Sequence, residues 1–471
     1  MLTLNHQVTN TLEKLKSYCE NFIYGKLFPV ILCLFTLAFF FGNLSMVGFG
    51  ILVLIGSFIL IVYDDMTPTL PVLLLLPMTM RDSSILVKEF YPYFLIAPAF
   101  IALIINFIRF PFKKPLFDKL SYTLIGITIT TITGGLFTSS LADFYMGIGF
   151  FLLTGLCAFA VHFVYNNKTK CPKKINLTNY FCYCLILTVN LACVQMVYAK
   201  IYVKFLPSSH FPFPSFCWAN TAHIANLIII ALPFLCFSLV KSRRIFPILI
   251  NLLFFYVCLY LTKSEACLFI ALGFTPLLVL NVLRHSPQKN VYPISQFVLS
   301  CICTAFLIVV YFAIFAPNDL ISFLERTLSD SGRNQIYLTG FELFIKNPIF
   351  GSGIGYSSNN GLELYGGYFH STIIQALATT GIIGLIAYAF LYIFRIKKLT
   401  LNKTLLGDYA LISFVMYTIY ACVDNSDCNV ILLYITLVIT FVGKINEKGN
   451  DFSLPLSSKE SSAMLSNQFC K

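Results

Sequence analysis

Arg333 and His370 stand at the two ends of a polar, glycine-punctuated segment in a chain that is otherwise strongly apolar. A guanidinium grips phosphate oxygens in bidentate fashion and stays charged at any working pH. An imidazole takes a proton from a hydroxyl near neutral pH. Together they suit transfer of a group from a lipid diphosphate onto a hydroxyl. The arginine would stabilise charge growing on the leaving diphosphate, and the histidine would activate the acceptor. Each also has a plainer explanation, since an interfacial arginine anchors headgroups and a histidine often caps a helix. Between them, NQIYLTGFELFIKNP places Ile336, Phe341, Phe344 and Ile345 so that one helical face is largely apolar. Such a helix lies along or dips into a membrane surface. Asn347-Pro348 stops it, and the glycines of GSGIG (Gly351, Gly353, Gly355) allow tight turns.

The elements that position these groups are membrane spans. The chain has 471 residues, 58% hydrophobic and 11% charged, with mean hydropathy +0.81. Soluble domains carry about 25% charged residues, so a soluble protein is excluded. Apolar runs between residues 27 and 443 give about 12–14 transmembrane helices, the uncertain ones including the short TLPVLLLLPMTM at 69–80. The expectation is an all-α polytopic domain over 1–443, with a long outer loop at about 316–370 holding the interfacial helix. A polar tail, 444–471, follows. The first apolar run reads as a retained helix rather than a removed signal peptide.

Alternating sides from a cytoplasmic N-terminus puts 24 Lys and Arg inside and 8 outside, the full 32. That asymmetry fits the positive-inside rule and leaves both termini cytoplasmic. The net charge of +12 is thereby a topology signal and not a nucleic-acid footprint. On these limits every Lys, Arg, Asp and Glu lies outside the spans. The sixteen cysteines fall mostly in apolar runs without CxxC pairs and read as small buried hydrophobes. No outer segment offers metal-ligand spacing apart from the loosely placed Asp424 and Asp427.

Ser331-Gly332-Arg333, an amphipathic helix, Asn-Pro-x-x-Gly-x-Gly-x-Gly ending at Gly355, then His370 opening a span with Gly381-Ile-Ile-Gly384-Leu, make an ordered pattern of about sixty residues. It resembles the O-antigen ligase and O-antigen polymerase superfamily of membrane glycosyltransferases. The resemblance implies an undecaprenyl-diphosphate-linked glycan donor, a glycan acceptor and a site at the outer face of the bacterial inner membrane, with no cofactor. It implies donor-diphosphate contact for Arg333 and an acceptor-side or base role for His370. LTKSEACLFIAL is similar to the family's short outer turn, where a Ser is usually followed by an Arg. Here Glu265 follows Ser264 and Lys263 precedes it, so either Lys263 replaces the second cation or Glu265 contacts the acceptor sugar. FCWANTAHIANL makes Asn220 a further candidate, whereas His223 reads as an interfacial histidine. Arg81 is the outer cation retained as a substrate-binding candidate.

Polymerase and ligase share donor chemistry and differ in acceptor. The divergent Ser264-Glu265 turn favours the polymerase, with a chain-length regulator and a flippase as candidate partners. A lipid-linked glycan transporter is the rival of another class. The lack of a repeat and of ionisable groups in the spans weighs against it.

Overall fold

The structure, a computed structural model, describes residues 18–79, 91–111, 117–136, 151–169, 177–204, 221–241, 245–285, 333–353, 369–401, 404–424, 426–428 and 430–442. All regular structure among them is helical. In chain order the α-helices are α1 (Leu27–Phe41), α2 (Ser45–Val62), α3 (Leu70–Leu75), α4 (Tyr91–Arg109), α5 (Lys119–Gly135), α6 (Ala158–Lys168) and α7 (Leu177–Lys204). They continue with α8 (Thr221–Lys241), α9 (Ile245–Leu261), α10 (Glu265–His285), α11 (Arg333–Lys346), α12 (Thr372–Thr400), α13 (Leu405–Val423) and α14 (Val430–Val442). The short run expected at 69–80 is a broken element, with α3 flanked by 3₁₀ turns at Thr67–Thr69 and Leu76–Thr79. The span expected at 295–315 lies outside the described residues.

Among the described residues, six helices are long and apolar enough to cross a bilayer: α2, the Leu177–Tyr198 part of α7, α8, α10, α12 and α13. Five shorter apolar helical stretches accompany them. Helices this apolar leave no polar side for water, so they are sorted by position in a bundle. α8 is central, with 89% of its spanning window buried, and packs on α7, α9, α10 and α13. The outer helices turn large apolar side chains outward, among them Leu54, Phe58, Ile101, Ile104 and Ile108. That is a lipid-facing surface and not a failure of burial. The chain is an all-α, multi-pass membrane protein.

α12 carries the site's geometry, and it is not continuous. Gly381 sits at φ 66°, ψ −164° within it, where helical hydrogen bonds from the amides of Ile382 and Ile383 to the carbonyls of Ala378 and Thr379 would otherwise run. The turn after α11 fills the gap. Ser352 and Gly353 donate to the carbonyls of Ala378 (2.8 Å) and Thr379 (3.0 Å), while Ile382 and Ile383 donate to those of Pro348 (2.9 Å) and Ile349 (3.5 Å). Every backbone group freed by the break is thus recovered, as apolar surroundings require. Only glycine fits the join. Gly351 and Gly381 both have positive φ, and a Cβ on them would fall 2.3 Å from the Thr379 carbonyl carbon and 2.4 Å from the Ile349 oxygen respectively.

Candidate functional site

α11 begins at Arg333, whose backbone alone is described, and lies against the start of α12. Of the residues expected to form its apolar face, Ile336 is buried, packed with Leu343, Phe369 and Ala378. Leu338, Phe341 and Ile345 are exposed at spacings of three and four, forming a second apolar face directed away from the bundle. The helix is amphipathic in a less simple way than its sequence suggests: one apolar strip meets protein and another is left for lipid.

One turn along from Arg333, the Tyr337 hydroxyl donates to the carbonyl of His370 at 3.2 Å. Next to the histidine, the Phe369 amide donates to Gln375 Oε1 at 3.1 Å, and the Phe369 ring is buried. The backbone around His370 is therefore held on both sides. His370 itself has φ 47° and Lys263 has φ 57°; with Asn43 they are the described non-glycine residues at positive φ. Left-handed backbone costs on the order of 1–3 kcal/mol at a non-glycine residue and persists where the surroundings enforce it.

His370 Nδ1 lies 3.5 Å from Asp424 Oδ1, with side-chain exposures of 32% and 13%. Asp424 caps the C-terminal end of α13, and its other oxygen accepts from the Tyr420 hydroxyl at 2.7 Å. Burial pushes the Asp424 carboxyl up. The hydrogen bond from His370, the charge of nearby His223 and the Tyr420 hydroxyl together outweigh it and hold the group below the ordinary carboxylate value. A carboxylate facing Nδ1 favours the tautomer with the proton on that nitrogen, leaving Nε2 as the acceptor.

Ser264 lies close to the Tyr420 hydroxyl, which brings the α9–α10 turn to the same group. In that turn Thr262 is buried, its Oγ1 accepting from the Ser264 amide at 3.3 Å, and its carbonyl accepts from Thr221 Oγ1 at 3.1 Å. Lys263 is exposed and Glu265 half-buried at the first position of α10. A single group of elements thus assembles the starts of α8, α10 and α12, the end of α13 and the first turns of α11. Asn220 and Arg81 lie outside the described residues, as do Ser331, Gly332 and Gly355.

Tyr420, Tyr337 and Gln375 are candidate-site residues that the sequence did not single out, and Asp424 stood out only as a loosely placed carboxylate with no link to His370. Asp424 lies 54 positions after His370, and only its place in a turn between two nearly uncharged spans hinted at a role. One reading needs correction. The sequence limits leave all ionisable side chains outside the spans, yet Arg395 is 0% exposed within α12 and Asp427 is 1% exposed in the turn before α14. The span was ended at residue 394, six short of the end of α12 at Thr400, because hydropathy measures run length and not depth in a bundle.

A bundle of membrane helices with one polar, strained end, where His370 and Asp424 meet beside the first turns of α11, defines a multi-pass membrane protein whose candidate site is that end. A family model described as O-antigen ligase matches residues 249–389, which supports the O-antigen ligase and polymerase superfamily that the motif resembles. The matched region contains α10, α11, the spliced turn and the first half of α12, which together hold Lys263, Glu265, Arg333 and His370. The match covers less than a third of the chain and supports a glycan-handling membrane protein of the O-antigen ligase and polymerase type. None of the curated proteins compared with the chain matches it.

Proposed function

We propose that the chain is a membrane glycosyltransferase that polymerises undecaprenyl-diphosphate-linked repeat units at the outer face of the bacterial inner membrane. His370, backed by Asp424, takes the proton of an acceptor sugar hydroxyl onto Nε2 as that oxygen attacks the donor's anomeric carbon. The bond from that carbon to the carrier diphosphate breaks, and the lipid diphosphate leaves with the electron pair. Arg333 stabilises the charge on the departing phosphates, with Lys263 as a second point charge and Glu265 on the acceptor side. Asn220 and Arg81 are further substrate-binding candidates. The observation that carries this reading is the Asp424–His370 pair beside the N-terminal turn of the Arg333 helix.

A ligase, moving a finished chain to a lipid core, is favoured by the description of the matched family. Purified protein given carrier-linked glycan separates the two: growth of oligomers without any other acceptor supports the polymerase, and transfer of the glycan onto an added lipid core without growth of oligomers supports the ligase. No transfer under either condition removes both. Arg333→Lys tests the bidentate contact, with transfer lost despite the retained charge; full activity in that variant argues for simple charge. The buried Arg395 weakens one ground against transport. A deletion strain with repeat units trapped inside the cell points to a flippase instead.

A further inference from the structure

The turn that carries Asp424 is held from within the bundle. Asp427, three residues further on, accepts hydrogen bonds from the hydroxyl of Tyr417 on α13 at 2.5 Å and from that of Tyr392 on α12. Ser426 accepts from Asn226 Nδ2 of α8 at 2.8 Å. One helical turn beyond Tyr392, Arg395 is wholly enclosed. Its Nε donates to Thr440 Oγ1 of α14 at 3.2 Å, and its guanidinium lies 4.4 Å from the centre of the Phe414 ring. Nη1 and Nη2 have no hydrogen-bond partner among the described residues. A charged arginine in such surroundings is costly and persists only with a compensating charge nearby. Asp427 is that charge, acting through space across the two tyrosines.

The arrangement serves no contact with a substrate, since both charges are enclosed. Its effect is on the turn. Attraction to Arg395 and two phenol hydrogen bonds fix Asp427. Asp427 fixes the 424–428 turn, and the turn sets Asp424 against His370. We infer that Arg395 and Asp427 are positioning residues: a buried charge pair that holds the Asp424 carboxylate at Nδ1 of His370. The inference rests on the reading of His370 as the base, and it assigns an internal role to charges in the spans that require neither transport nor a proton path.

The test uses full-length protein in lipid nanodiscs, with Asp427→Asn, Tyr417→Phe, Arg395→Met and the double variant Arg395→Met/Asp427→Asn. Two quantities are read: transfer kinetics against pH, and hydrogen exchange of the segment 420–428. Asp427→Asn and Tyr417→Phe are expected to lower kcat about tenfold or more with little change in donor KM, as loss of an outer supporting contact does. The pH profile of kcat should differ from that of wild type, because the carboxylate no longer faces Nδ1 of His370. Exchange of 420–428 should rise. The double variant buries no uncompensated charge, so it should accumulate better than Arg395→Met while remaining slow.

Unchanged kcat and pH profile in Asp427→Asn, or in the double variant if that single change does not accumulate, overturns the inference. So does unchanged exchange of 420–428. If His370→Ala retains activity, the reading of the base fails by itself, while the exchange measurement still decides whether Asp427 anchors the turn.

Discussion

Among the described residues two histidine–aspartate pairs stand at opposite ends of α12, and they are put to different use. At the far end, His162 Nε2 lies 3.0 Å from Asp118 Oδ1, and Lys398 Nζ lies 2.6 Å from the other oxygen. The His162 side chain is 1% exposed, and Asp118 also caps α5 by accepting from the Ser121 amide at 2.9 Å. At the near end, the carboxylate is shared with a neutral phenol instead of a lysine, and a third of the imidazole remains open. The same two side chains make a clamp in one setting and an accessible base in the other. A permanent cation on the second oxygen and burial of the imidazole close off the first pair, although Asp118 itself is 31% exposed. A tyrosine and an open ring edge keep the second able to exchange a proton with something outside the protein.

Exchange of the two roles is the way to break this contrast. His370→Ala is expected to reduce glycan transfer about a thousandfold with normal membrane abundance, the range of a lost general base. His162→Ala should leave turnover per molecule near normal and lower abundance and thermal stability. Equal loss of turnover in both, after correction for abundance, would make the two pairs equivalent.

A smaller effect is expected one residue back from each ring. Asp424→Asn should reduce turnover about a hundredfold and change the acid limb of the pH–rate profile, as the carboxylate facing Nδ1 is lost. Asp118→Asn should leave that limb in place. A pH–rate profile of the two variants decides it, and coincident limbs would remove Asp424 from the chemistry.

The far pair has its own pH signature. Burial pushes the Asp118 carboxyl up, but His162 and then Lys398 hold it well below the ordinary carboxylate value. A depressed carboxyl contributes its full stability above the ordinary value of about 4, and that contribution fades in more acid solution as pH falls through the lowered value. Thermal melts of detergent-solubilised protein should show wild type losing stability below about pH 4 more steeply than Asp118→Asn. Parallel curves would mean that the cluster adds no net stability.

Least of all, Lys263→Ala should raise the donor KM about tenfold or less with kcat nearly kept, since an exposed point charge attracts phosphate without orienting it. A large kcat effect would instead place that ammonium in the transition state.

Much of this was legible in the residues. Long apolar runs gave helices, and the Arg–glycines–His order pointed to one end of the bundle. The glycines were read as turn-formers; their actual work is to let the turn after α11 replace hydrogen bonds missing from α12, which needs two segments about thirty residues apart in view at once. Asp424 stayed hidden because nothing local links a turn after α13 to a histidine before α12. Arg395 was assigned to the membrane edge because a lone cation beside Lys397 and Lys398 resembles an end signal, and only packing against Phe414 and Thr440 shows its depth. The two apolar strips of α11 overlap in sequence, so periodicity could not divide protein contact from lipid contact.

The splice at Gly381 also limits how this protein could be recombined. Because residues 348–353 supply the hydrogen bonds that α12 lacks, a chimera that exchanges the outer loop alone would graft a foreign turn into a gap shaped for this one. A transplant meant to change acceptor choice has to carry residues 333–384 as one cassette.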